Sequence, residues 1–426
     1  MKRYLYLPKQ YDLVTGDTFE LFYRGIVNFL TIEGYDFELF YEDGVNRGKG
    51  FARKYVFTPT KNDLGVHRLH IRLWNNEGEV LEEGVVKINV VNPPVSPKNE
   101  RVILLMGASD TEPGIWPAEL GRRLTGRGGK PEGWGLHNIS FIGSRQRDGV
   151  CYEGYGGWTF ASYTNANDRS NAFMFLTGDF SDKDPSVDQH SFYRDENGFV
   201  WKLESITATR LKVICTRVVG KLPSLAGGRL VHESGGKNTA DIVYTAASYA
   251  EANPFWSVEA GRNDFKAYAR RFGKNRIDEI VATLTWNSHD CSPEEFCALI
   301  RSFIESVYRD FPECHISLVG GVFPSRDGFA NNYGISWPWF EKMAVLRAFD
   351  AVRESLAVED PEHISFIHEA SQYDMDYNCI STEFEANTRN ETGVRLGSNG
   401  LHIMPAGSQQ IADAVVRHLS ARFSKN

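Results

Sequence analysis

Ser109 and His402 are the residues of this chain best suited to covalent chemistry, although they lie far apart in the sequence. Ser109 stands in Gly107-Ala108-Ser109-Asp110-Thr111, directly after the apolar run 102–106. His402 stands in Ser398-Asn399-Gly400-Leu401-His402, just before a final amphipathic segment. A serine hydroxyl is a weak nucleophile until a base within hydrogen-bond reach takes its proton, and histidine is the commonest such base. A serine at the carboxyl end of an early strand and a histidine ahead of the last helix can meet across one α/β sheet. Two further segments could serve the same reaction. Glu153-Gly154-Tyr155-Gly156-Gly157-Trp158-Thr159 lets backbone approach a ligand oxygen closely, because its glycines carry no side chain. Asn287, in Thr285-Trp286-Asn287-Ser288, follows a strand and offers a side-chain amide as donor. Taken singly, each of these segments reads as an ordinary turn or helix cap.

The elements that must position these residues are legible in the pattern. A length of 426 residues exceeds one typical core and predicts two domains. Residues 1–97 read as an all-β domain followed by a proline-rich linker. Arg68-Leu69-His70-Ile71-Arg72-Leu73 alternates polar and apolar, the signature of a half-buried strand, and Asn75-Asn76-Glu77-Gly78 supplies a turn. Several short strands in that length predict a small sandwich of immunoglobulin type. Asn92-Pro93-Pro94-Val95-Ser96-Pro97 cannot continue a ladder and forms the linker.

From about residue 98 to 426, strands alternate with helices. Buried strands are predicted over 102–106, 139–142, 280–284, 316–319 and 364–367. The helix after the third has a capping box, with Ser292 as cap, Pro293 in the first position and Glu295 completing it. A second helix begins after Ser336, and a third runs from Ser408 to about Phe423. Such an order predicts a doubly wound, flavodoxin-like parallel sheet of five strands. Residues 180–252 break the rhythm and read as a β-rich insertion, expected to overhang the strand ends where ligands bind.

Composition excludes some functions. The net charge of −8 and the lack of a long basic run argue against nucleic acid or an anionic membrane as main partner. No apolar stretch approaches the ~20 residues that span a bilayer. Lys2 and Arg3 are followed only by Tyr-Leu-Tyr-Leu before Pro8, so no signal-peptide core is visible. This is the pattern of a cytoplasmic protein or of the mature form of an exported one. The six cysteines lack metal-ligand spacing and read as buried free thiols. His289 and Asp290 lie near Asn287 without the spacing of a metal site, and no cofactor is implied. Oligomeric state is not readable.

The four segments, in this order, resemble those of the SGNH (GDSL-type) hydrolases. The resemblance covers residues 101–424. It implies that Ser109 is the nucleophile, that His402 is the general base, and that Ser109 N–H, Gly157 N–H (with Gly156 the alternative) and the Asn287 amide hold the oxyanion. Asn253-Pro254-Phe255-Trp256 is similar to a segment of carbohydrate-directed members. The implied activity is hydrolysis of acetyl or short acyl esters on a carbohydrate, the substrate being a small-molecule or glycan ester. Trp158, Trp286 and His289 would line the substrate site, and Trp116 and Trp256 also fall near the motifs.

This chain departs from the family pattern in three places. Ala108 precedes the serine where Asp is usual, Ser288 follows Asn287 where Asp is common, and Asn399 stands where an Asp would orient His402. Three readings of the last departure stay open. Ser109 and His402 form a dyad oriented by Asn399; another carboxylate, Asp374, Asp376 or Glu369, approaches His402; or the scaffold binds carbohydrate with little or no turnover.

Overall fold

The computed structural model describes residues 3–29, 31–164, 173–184, 191–198, 200–217, 226–250, 253–257, 260–284, 286–288, 290–321, 323, 339–397 and 402–424. The chain divides into two compact units. Met1–Thr159, Phe272–Ile300 and Phe311–Asn426 form the first, and Phe160–Arg271 with Arg301–Asp310 the second.

The first unit begins with seven strands: β1 (Gln10–Val14), β2 (Phe19–Phe22), β3 (Asp36–Tyr41), β4 (Lys49–Gly50), β5 (Lys54–Phe57), β6 (Gly65–Trp74) and β7 (Val80–Val91). They build a four-stranded sheet, β1-β7-β6-β3, and a three-stranded sheet, β2-β5-β4. The inward residues of both sheets share one core. Phe19, Leu21 and Phe57 come from the smaller sheet, and Leu13, Leu69, Ile71, Ile88 and Val90 from the larger. The alternation read at 68–73 is realised with Leu69, Ile71 and Leu73 fully buried.

The α/β part opens with β8 (Arg101–Gly107) and α1 (Ile115–Thr125), then β9 (Ile139–Ile142), β10 (Arg145–Arg147) and β11 (Val150–Gly154). The second unit contributes β12 (Phe173–Thr177), β13 (Phe192–Arg194), β14 (Val200–Ile206), β15 (Arg210–Arg217), β16 (Gly228–Ser234), β17 (Ile242–Tyr244) and β18 (Ala246–Ala250), followed by α2 (Phe265–Arg271). Back in the first unit come β19 (Glu279–Thr283), α3 (Pro293–Tyr308, which ends in the second unit), β20 (His315–Val319), α4 (Trp339–Glu359), β21 (Ile364–Ile367), and α5 (Pro405–Phe423). Strands β12–β18 form one antiparallel sheet of seven, order β17-β16-β13-β14-β15-β12-β18. The β-rich insertion therefore reaches further than 180–252, beginning its first strand at Phe173.

In the main sheet β8 pairs in parallel with β19, β19 with β20, and β20 with β21. On its other edge β8 pairs in parallel with β9 along its first half and with β11 at its end. Strand β10 adds antiparallel to β11, which makes the sheet seven-stranded and mixed. Successive residues of β8 alternate faces. Ile103 and Leu105 pack with Trp116 and Leu120 of α1 and with Ile411, Val415 and Leu419 of α5, while Val102, Leu104 and Met106 are as deeply buried on the opposite side. The capping box of α3 forms as read, with Ser292 N–H on Glu295 Oε2 at 2.7 Å and Glu295 N–H on Ser292 Oγ at 3.1 Å. Helix α5 starts at Pro405, earlier than the expected Ser408. A proline is tolerated in a first turn because its missing N–H has no intrahelical acceptor there. Of the cysteines read as buried, Cys314 and Cys379 are so, whereas Cys151, Cys291 and Cys297 are partly exposed. Among the described residues, no helix is long and apolar enough to cross a membrane.

The boundary drawn at Pro97 falls inside the first unit, and the reason is a charged seam. Arg123 of α1 is completely buried and binds Asp17, between β1 and β2, at 2.8 Å and Asp413 of α5. Arg347 of α4 donates to Gly25 O at 2.8 Å. A Cβ on Gly25 would overlap the Ala370 carbonyl, so only glycine allows this approach. Tyr11 OH meets Ser371 Oγ at 2.7 Å.

Candidate active site

Strand β8 leads into the turn that carries Ser109. After Gly107 the chain folds back, with Thr111 N–H and Glu112 N–H both on Ala108 O at 3.0 and 2.9 Å. Beneath the turn, Thr111 Oγ1 lies 2.7 Å from Thr283 Oγ1 of β19 and accepts Trp116 Nε1–H at 2.9 Å. Trp116, one of the tryptophans near the motifs, is thus a buried brace of this turn. Ser109 itself is partly exposed at the carboxyl end of β8, and its hydroxyl makes no hydrogen bond among the described residues. The carboxyl ends of parallel strands are where open α/β sheets bind ligands.

The glycine loop is held beside that turn. Tyr155 N–H donates to Gly107 O at 3.3 Å, and Trp158 N–H to Tyr155 O at 3.2 Å. Gly157 has φ +80, a left-handed conformation that favours glycine and turns its peptide away from the regular path. Gly156 N–H, the alternative oxyanion donor, is engaged by Glu112 Oε2 at 3.1 Å. Trp158 is not an open stacking platform. It is 2% exposed, and Tyr155 covers its face with ring centroids 4.2 Å apart. Its indole is wall rather than sugar contact, because a ring face already stacked has no area left to offer.

Asn287 sits in the 3-10 turn Trp286–Ser288 after β19. Its Nδ2 donates to Trp158 O at 3.0 Å, which fixes the amide and joins this turn to the glycine loop. The amide's second hydrogen has no partner among the described residues. Arg353, fully buried in α4, donates to Leu284 O at 2.9 Å and so anchors the chain leading into the turn. The Trp286 backbone is described in this turn. His289 and Asn399 lie outside the described residues.

His402 precedes α5 and is half-buried. Its carbonyl accepts Ile380 N–H at 3.2 Å, Met404 N–H donates to Asn378 O at 2.7 Å, and Ile403 bridges Cys379. Burial lowers the imidazole pKa below its usual 6.5, and the Glu112 carboxylate opposes that shift. Among the described residues, no hydrogen bond joins Ser109 to His402.

Two of the three carboxylates expected as partners for His402 are bound elsewhere. Asp374 accepts Arg53 at 2.6 Å, and Asp376 pairs with Arg53 at 3.1 Å and with Arg24 at 3.4 Å. A carboxylate held by a guanidinium is already compensated and has no need of an imidazole. Glu369 is 1% exposed, and the charges acting on it are those of Asp110, Asp350 and Arg353, so burial raises its pKa well above the usual range. Two acidic residues of the Ser109 turn, Asp110 and Glu112, had not been singled out from the sequence. Burial pushes Asp110 up to about 7, and its Oδ1 is unpartnered. Glu112 takes Arg145 Nη2 at 3.1 Å besides Gly156 N–H. Their only signal in the sequence was adjacency to Ser109.

A recess of about 1100 Å³, lined by Ile115, Arg122, Phe141, Val150 and Lys274, runs along α1 and the sheet edge. Ser109 does not line it, so the candidate site rests on its donors and base rather than on volume. Among the described residues no group of three His, Cys, Asp or Glu side chains could hold a metal ion.

No protein-family model matches the sequence, and no curated protein matches it. Solved structures do match. A peptidoglycan O-acetylesterase is 11% identical over 77% of this chain and 93% of its own, with a TM-score of 0.35. A Corynascus thermopiles (Myceliophthora fergusii) carbohydrate esterase family 2 enzyme with a carbohydrate binding domain is 11% identical over 98% of both chains, TM-score 0.32. A family two carbohydrate esterase from Clostridium thermocellum, in complex with cellohexaose, is 10% identical over 96% of this chain and 94% of its own, TM-score 0.30.

Proposed function

We propose that this chain is a serine esterase with a doubly wound sheet of SGNH type, acting on acetyl or short acyl esters of a carbohydrate. Ser109 Oγ attacks the ester carbonyl while His402 takes its proton. The tetrahedral oxyanion is met by Ser109 N–H, Gly157 N–H and the Asn287 amide. The protonated imidazole then gives its proton to the departing alcohol, and a water activated by His402 releases the acyl group. What supports this reading is the Asn287 Nδ2 bond to Trp158 O, which binds two of the proposed donor segments to each other beside the turn that carries Ser109. Fixed donors aimed at developing charge are the largest single source of rate in acyl transfer. The seven sandwich strands, four against three, support an immunoglobulin-like reading of the first 97 residues.

Hydrolysis of p-nitrophenyl acetate by the wild type and by Ser109→Ala tests the proposal. Activity that disappears in the variant supports it. Equal rates in both would refute it and favour carbohydrate binding on an inactive scaffold, the reading suggested by Asn399 in the triad position.

A further inference from the structure

Resting on the serine-esterase reading above, we propose that Tyr155 is a positioning residue of this site, whose ring closes on Trp158 as a clasp and sets two of the oxyanion donors, Gly157 N–H and the Asn287 amide.

The clasp belongs to one short turn. At its root a Cβ on Gly154 would stand 2.8 Å from the Thr111 carbonyl carbon, so the chain leaving β11 lies flush against the turn that carries Ser109. Tyr155 N–H then donates to Gly107 O at 3.3 Å, and Trp158 N–H to Tyr155 O at 3.2 Å. The second bond closes a four-residue turn with Gly156 and Gly157 in the middle. A φ of +80 at Gly157 is what the third position of a type II turn demands. Tyr155 and Trp158 are the two ends of this turn, and their rings stack with centroids 4.2 Å and planes 28° apart.

Tyr155 is itself held. Its hydroxyl donates to Glu153 Oε2 at 2.7 Å, and the fully buried Glu153 takes Ser144 N–H and Ser144 Oγ–H on its other oxygen, both at 2.8 Å. The Arg145 guanidinium packs on the same ring, 4.7 Å from its centroid. Anchored at its tip and packed on its ring, the side chain fixes both ends of the turn.

What the turn presents follows from its bonds. Gly156 N–H is spent on Glu112, whereas Gly157 N–H has no hydrogen-bond partner among the described residues. Trp158 passes the constraint on, because its carbonyl accepts Asn287 Nδ2 at 3.0 Å. Donors stabilise developing charge only where they are already aimed, and a displacement of about 1 Å can cost about 10²-fold in rate.

Steady-state kinetics on p-nitrophenyl acetate test this in Tyr155→Met, Tyr155→Phe, Asn287→Ala, the double variant Tyr155→Met/Asn287→Ala, and Ser109→Ala. Tyr155→Met fills the space without a ring and is expected to lower kcat about 10- to 100-fold with little change in KM. Tyr155→Phe keeps the stack and gives up the bond to Glu153, so its loss should be about tenfold smaller. In the Asn287→Ala background the loss from Tyr155→Met should shrink by about threefold or more, because one of the donors it sets is already gone. A ring that only supported the fold would cost the same factor in both backgrounds, and losses that multiply in this way overturn the proposal. So does a wild-type kcat in Tyr155→Met while activity still depends on Ser109. Should Tyr155→Met not fold, Trp158→Phe, which keeps a smaller stacked ring and the same carbonyl, reads the same coupling. Activity that survives Ser109→Ala overturns the reading beneath instead.

Discussion

The molecule holds one serine–histidine–carboxylate network at the amino end of the main sheet, and the proposed pair Ser109 and His402 at its carboxyl end. At the amino end, Asp12 Oδ2 lies 2.8 Å from His418 Nδ1, and His418 Nε2 lies 2.8 Å from Ser365 Oγ. By distance alone this is a finished triad. At the carboxyl end, Ser109 and His402 are not hydrogen-bonded and the third position is an asparagine. The finished set is nevertheless the structural one. Ser365 Oγ also meets His315 Nε2 at 3.0 Å and donates to Ser317 Oγ, which donates to the buried Glu279 at 2.9 Å. Its lone pairs and proton are spent on its neighbours. Glu279, His315, Ser317 and Ser365 form one polar row facing His418 and Arg422 of α5, and Asp12 brings β1 to it. At the other end, among the described residues, the Ser109 hydroxyl has no hydrogen-bond partner and the Asn287 amide has one donor hydrogen unused. A catalytic site keeps bonding capacity for a ligand, whereas a structural network uses all of it.

Removing each serine breaks the comparison most directly. Ser109→Ala is expected to lower ester hydrolysis by about 10⁴-fold or more, as loss of a serine nucleophile does elsewhere. The next largest effect is that of Asn287→Ala. Loss of one oxyanion donor costs about 10²–10³ in kcat, and KM should change little because the donor acts on charge that develops after binding. Steady-state kinetics on p-nitrophenyl acetate read both. If KM rose and kcat held, Asn287 would be a ground-state contact instead.

Ser365→Ala sharpens the contrast from the other side. The variant leaves two imidazole nitrogens and the Ser317 hydroxyl short of a partner, a loss of about 1–3 kcal/mol in unfolding free energy. Its kcat/KM should match the wild type. Chemical denaturation beside an esterase assay checks this, and lost activity in a stably folded Ser365→Ala would place the chemistry at the amino end.

The carboxyl-end candidates could be named from the sequence, whereas the amino-end network could not. Ser109, Gly157 and Asn287 sit in turns directly after strands whose apolar runs are visible, so their location follows from period and punctuation. The helix start at Ser292 was legible because its capping box is local. Asp12, His418 and Ser365 are each unremarkable in their own segments, and only the packing of β1 against α5 joins them. Arg123 and Asp17 were invisible for the same reason, since a buried ion pair between distant segments leaves no local pattern. Trp158 was misread because its neighbour Tyr155, in a loop, folds onto its face. The antiparallel β10 was missed because a three-residue edge strand has too few positions to show a period.

Two aspartates carry the contrast into pH dependence. Burial alone would raise Asp12, but hydrogen bonds from His418, Asn89 and Gln10 outweigh it and lower its pKa below the usual 3.8. Asp110, next to Ser109, is raised by burial to about 7 with nothing to offset it. The signs are opposite. A carboxylate lowered in the folded state contributes stability above its unfolded pKa, lost as pH falls through the folded value. A raised one binds more protons folded than unfolded between 3.8 and about 7, so stability falls as pH climbs through that window. Asp12→Asn should therefore lower Tm more at pH 7 than at pH 3. Asp110→Asn should raise Tm at pH 8 and leave it nearly unchanged at pH 3, where the wild-type carboxyl is already neutral. Thermal melts at the three pH values decide it. A Tm that falls at pH 8 in Asp110→Asn would mean that the charge is compensated in the fold, and that the carboxyl end is as fully bonded as the amino end.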